Sequence, residues 1–80
     1  MWIKAEDGAL YNTNLAIKIG PSTADSNIVQ IVEPGRQGVA LATLHSPEEA
    51  QQLIDRIAKT LADGRAYFDV SAPPVSWEVG

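Results

Sequence analysis

The chain carries one histidine, His45, and imidazole is the side chain best suited to proton transfer near neutral pH. His45 stands directly before the helix start Ser46-Pro47-Glu48-Glu49, and no Ser or Cys nucleophile motif lies beside it. That position predicts a turn-closing role, with a staple-like contact to Ala50, rather than catalysis. The carboxylates are equally dispersed. Glu6-Asp7 falls in a hairpin, Glu48-Glu49 in a helical first turn, and Asp55, Asp63 and Asp69 are isolated. There is no loop of alternating carboxylates for calcium and no HExxH pattern. No catalytic residue, metal ligand or cofactor is therefore expected.

One glycine-rich loop carries a cation: Pro34-Gly35-Arg36-Gln37-Gly38. Exposed backbone amides and one guanidinium can hold a phosphate or carboxylate. Gly35, Arg36, Gly38 and the later Arg65 are thus candidates for binding a small anion, such as a nucleotide, at a subunit interface. The spacing matches neither a P-loop nor a dinucleotide fingerprint, and a hairpin tip that needs glycine is the plainer use of it.

The aromatic residues point elsewhere. Trp2, Tyr11, Tyr67, Phe68 and Trp77 lie near the two chain ends. Two tryptophans exceed what so small a core needs, and Trp and Tyr are favoured at interfaces. Trp2, Tyr11, Tyr67, Phe68, Val75, Trp77 and Val79 are the interface candidates.

Charge and size narrow the partners. The 80 residues have six Lys and Arg, scattered along the chain, and a net charge of −4. Nucleic-acid affinity needs clustered cations, so DNA or RNA is not an expected partner. No apolar run approaches the ~18 residues of a membrane span. With no cysteine, and no charged start leading into an apolar run, a cytoplasmic protein without disulfides is expected. If the source is viral, the cytoplasm is that of the host.

The elements follow from local pattern. Trp2–Ala5 and Ala9–Tyr11 read as strands joined at Glu6-Asp7-Gly8. Asn12-Thr13-Asn14 is turn chemistry. Leu15–Ile19 alternates, which predicts a strand with Leu15, Ile17 and Ile19 on one face. A polar loop over 20–27 leads to a strand at 28–33. The 34–38 tip returns into Val39–Leu44, where Val39, Leu41 and Thr43 should face one way and Ala40, Ala42 and Leu44 the other. A helix over 47–63 then has Ser46 as N-cap, Pro47 at its first position and Gly64 beyond its end. Its apolar stripe is Ala50, Leu53, Ile54, Ile57, Ala58, Leu61 and Ala62, with an Asp55–Lys59 pair on the far side. Ala66–Val70 reads either as one more strand or as a packed extended segment.

This order predicts an α+β fold. An antiparallel β-meander of about five strands would carry one amphipathic helix on a face. Residues 1–72 would form the compact domain. Residues 73–80 would be an extended Pro-Pro tail, with an edge strand at 75–79 on its own sheet or a neighbour's.

Met1-Trp2-Ile3-Lys4 with Asp7-Gly8, then Val39–Leu44 and the helix start Ser46-Pro47-Glu48-Glu49-Ala50, resemble a loose set of small, mostly uncharacterised bacterial and phage proteins. The resemblance covers residues 1 to about 63 and implies a β-meander followed by one helix. It implies no activity. The function expected on all these grounds is a small non-enzymatic protein-interaction or regulatory module that forms a homo-oligomer. The alternative is binding of a small anionic ligand.

Overall fold

The computed structural model describes residues 1–72 and shows an α+β fold. The expected strand at 75–79 lies outside the described residues. Five strands precede the helix and a sixth follows it: β1 (Trp2–Lys4), β2 (Leu10–Asn12), β3 (Lys18–Pro21), β4 (Ile28–Val32), β5 (Val39–Thr43), α1 (Pro47–Ala62) and β6 (Tyr67–Asp69). The strands divide between two three-stranded sheets, ordered β2-β1-β6 and β3-β4-β5.

The first sheet begins with a hairpin. The Ala5 amide donates to the Ala9 carbonyl, and the Gly8 amide donates to the Ala5 carbonyl, so Glu6-Asp7-Gly8 forms a three-residue loop. Gly8 takes φ +92°, the left-handed geometry such a loop requires. On the other side of β1, β6 pairs in parallel, with Trp2 opposite Tyr67 and Lys4 opposite Asp69. Of the two readings of the segment after the helix, the structure takes the strand. A parallel partner needs a long crossover, and the second sheet together with α1 supplies it.

The second sheet is the antiparallel meander. Its first strand starts later than alternation suggests. The Asn12 side chain accepts from the Asn14 amide and caps a 3-10 turn over Thr13–Leu15, and the Ala16 amide closes that turn on the Thr13 carbonyl. Leu15 and Ile17 thus lie outside any strand and are largely exposed, and only Ile19 joins the sheet. Pairing begins where the Ile17 amide donates to the Val32 carbonyl. Pro21 is tolerated in β3 because β3 is an edge strand.

Strand β5 also departs from simple alternation. Val29 pairs with Ala42 while Gln30 pairs with Ala40, leaving Leu41 in a bulge. The consecutive residues Leu41 and Ala42 are both buried, and Thr43 is exposed. The bulge also serves to join the sheets, since the Leu41 carbonyl accepts the Glu6 amide at 2.8 Å. A bulge bends its strand and re-aims its groups in this way.

The helix is bounded by local chemistry. Ser46 Oγ accepts the Glu49 amide, and Glu49 Oε2 accepts the His45 amide. At the other end the Arg65 amide reaches the Thr60 carbonyl and the Gly64 amide reaches Leu61, with Gly64 at φ +72°. That is the Schellman arrangement, which satisfies the last carbonyls. The core comprises Ile3, Ala5, Val29, Ile31, Leu41, Ala42, Ala50, Leu53, Ile57 and Phe68, drawn from both sheets and the helix. The apolar stripe of α1 is wider than the core it covers. Ala50, Leu53 and Ile57 are buried and Ile54 is half-buried, but Ala58, Leu61 and Ala62 are exposed. On the far side Asp55 takes its hydrogen bond from Gln51 at 3.0 Å rather than from Lys59.

Candidate interaction surfaces

Register decides which side chains share a face of the first sheet, because in-register neighbours project to the same side. Ile3, Tyr11 and Phe68 form the inner row. Ile3 and Phe68 are core, and Tyr11 is half-buried against it. The Arg56 guanidinium lies 5.4 Å from the Phe68 ring centre, and Arg56 Nη2 donates to the Ala72 carbonyl. Arg56 therefore closes this flank of the core and fixes the last described residue against the helix. Of the aromatic candidates, Phe68 and Tyr11 turn inward, whereas Val75, Trp77 and Val79 lie outside the described residues.

Trp2 and Tyr67 turn outward. Along the outer face, Asn12, Trp2 and Tyr67 form one row and Leu10, Lys4 and Asp69 the next. Trp2 is 50% exposed, Leu10 56% and Tyr67 51%. Half of each aromatic surface, with Leu10 added, makes an apolar patch on the order of 200–300 Å². The largest apolar patch on a monomeric protein is commonly of this order or somewhat larger, and is often functional. Leu10, Lys4 and Asp69 were not among the sequence candidates. Only the register of three strands places them beside Trp2 and Tyr67.

A second apolar surface runs beside the helix. A groove of about 370 Å³ lies between the overhanging flank of α1 and the segment entering β3. Its walls include Ile17, Ile19, Ile54 and Leu61, and Lys18, Thr13 and Asn14 supply polar groups. The sequence hinted at this surface through the excess width of the helical stripe. Reading Leu15–Ile19 as an alternating strand concealed the other wall.

The anion candidates do not meet in either surface. Gly35 has φ +73° in a turn closed by the Arg36 amide on the Glu33 carbonyl, with Pro34 and Gly35 as its central residues. This is the type II turn that Pro-Gly favours. Gly38 lies under the Gln30 carboxamide, which a side chain at position 38 would meet. Arg65 belongs to the helix cap. None of the four lines the groove. His45 is exposed, and the bond it makes is through its main-chain amide.

Among the described residues, no group of three His, Cys, Asp or Glu could hold a metal ion. No helix among them is long and apolar enough to cross a membrane. Comparison with family models, curated proteins and solved structures finds no match, so the likeness to small bacterial and phage proteins stands on the quoted residues alone.

Proposed function

We propose that this chain is a small non-enzymatic interaction module that self-associates. One observation supports this above the rest: Trp2, Leu10 and Tyr67 stand half-exposed on one open sheet face. A specific dimer buries about 800 Å² on each partner, several times this patch. The association is accordingly weak and concentration-dependent, as suits a regulatory protein. Sedimentation velocity between about 10 and 500 µM should show a mass that rises with concentration. Trp2→Lys and Tyr67→Lys, which lose the buried half of each ring at a folding cost of about 1–3 kcal/mol and are checked for native circular dichroism, should abolish the rise. Variants with an unchanged mass profile would remove this face from the interface.

The groove supports a second reading, binding of a small amphipathic anion. Its volume falls within the usual range of ligand pockets, roughly 300–1,000 Å³, and Lys18 stands at its wall. Against this, the groove borders the C-terminal half of α1, whose carbonyl end disfavours anions. Thermal-shift screening of carboxylate- and phosphate-bearing amphiphiles, with Lys18→Ala as control, separates the readings. A stabilising ligand whose effect is lost in that variant would favour the groove.

A further inference from the structure

We infer that the outer face of the first sheet pairs with the same face of a second copy, about a two-fold axis running along and between β1 and β6. The inference rests on the self-association proposed above and adds its geometry. Strands β1 and β6 are parallel and in register, with Trp2 beside Tyr67 and Lys4 beside Asp69. A two-fold along the strands and midway between them exchanges the two strands between copies. It sets Trp2 over Tyr67 of the second copy and Lys4 over Asp69 of the second copy. Each aromatic ring then meets the other kind of ring, and each charge meets its opposite. Lys4, Asp69 and their two counterparts form a square of alternating charge, so this face complements itself.

Other placements of the axis lack this match. A two-fold along β1 itself sets Lys4 over Lys4, which opposes like charges. One across the strands sets Asp69 over Tyr67 and Lys4 over Trp2, leaving the carboxylate without a cation. Isologous contacts of this kind close into dimers instead of growing into fibres. Leu10 lies on the third strand, outside the exchanged pair, and flanks the contact. Charge registry of this type contributes mainly to specificity and orientation, while the rings supply the apolar contact.

The test is a charge swap in the full chain, read by sedimentation velocity at low salt. Lys4→Glu alone and Asp69→Lys alone each set like charges against each other at two places in the dimer. Each should raise the dissociation constant at least tenfold. An equimolar mixture of the two variants should recover association as a heterodimer. The carboxylate introduced at position 4 of one chain then meets the ammonium introduced at position 69 of the other, and the native pair is kept at the opposite corner. Asp69 Oδ1 also accepts the Ser71 amide at 2.9 Å. Asp69→Asn, which keeps that acceptor and removes the charge, is therefore the second variant, and it too should weaken association. If the wild type associates but the charge variants associate equally, the two-fold geometry is wrong while self-association stands. If the wild type stays monomeric throughout, both fall, as they would if the chain's own residues 73–80 covered the face.

Discussion

Adding bulk at two alanines of β5 separates the bulged strand from a simply alternating one. Plain alternation makes Ala40 and Ala42 equivalent, two residues apart on one face. The bulge breaks the equivalence: Ala42 is 3% exposed and opposes Val29, whereas Ala40 is exposed and opposes Gln30. Ala42→Leu forces three carbon atoms into a site bounded by Val29 and Leu41, and such overpacking costs about 1–3 kcal/mol. Ala40→Leu adds the same atoms on the solvent side and should stay within about 0.5 kcal/mol of wild type. At roughly 0.05–0.15 kcal/mol per residue, a chain of this size has about 4–12 kcal/mol in hand, so both variants should fold. Urea titration followed by tryptophan fluorescence reads the difference. With a slope of about 1 kcal/mol per molar, Ala42→Leu should lower the midpoint by about 1–3 M and Ala40→Leu by at most about 0.5 M. Equal midpoints would refute the bulge and everything drawn from it, including the tie between the sheets through the Leu41 carbonyl.

The helix and its flanks yield further tests. Ser46→Ala removes the acceptor for the Glu49 amide; a loss of about 1 kcal/mol is expected, which calorimetry would record as a melting temperature lower by about 4–8 °C. Gly64→Ala imposes a side chain at φ +72° and should destabilise by about 1–2 kcal/mol in the same assay. Arg56→Ala removes the cation over Phe68 and the bond to Ala72; a loss of about 0.5–1 kcal/mol is expected, together with faster amide exchange at residues 70–72. Ile17→Glu, at a position 69% exposed, should leave stability within about 0.5 kcal/mol while reducing the binding of a hydrophobic dye to the groove.

Features that depend on a few adjacent residues were legible in the sequence. Ser46, Pro47 and Glu49 start the helix and Gly64 ends it because caps are closed by groups three to five residues apart. Pro34-Gly35 and Gly8 make their turns for the same reason, since only the local backbone dihedral is at stake. Where two local signals competed, alternation misled. Leu15, Ile17 and Ile19 have strand spacing, yet Asn12 caps a 3-10 turn that claims Leu15 first. In Val39–Thr43 nothing local announces a bulge; it arises from pairing with β4, and it leaves the Leu41 carbonyl facing Glu6, far away in the chain. Of the site, the sequence offered Trp2 and Tyr67 as aromatic candidates without reason to join them.

The class of fold, the helix with both its ends and the turns could be read before any coordinates, because each follows from residues that are neighbours along the chain. Long-range packing was needed to divide the strands between two sheets and to lay β6 parallel to β1. The same packing turns Phe68 inward while Trp2, Tyr67, Lys4 and Asp69 share the open face. Those outcomes depend on register between segments more than sixty residues apart, and a shift of one residue would send every side chain to the opposite face.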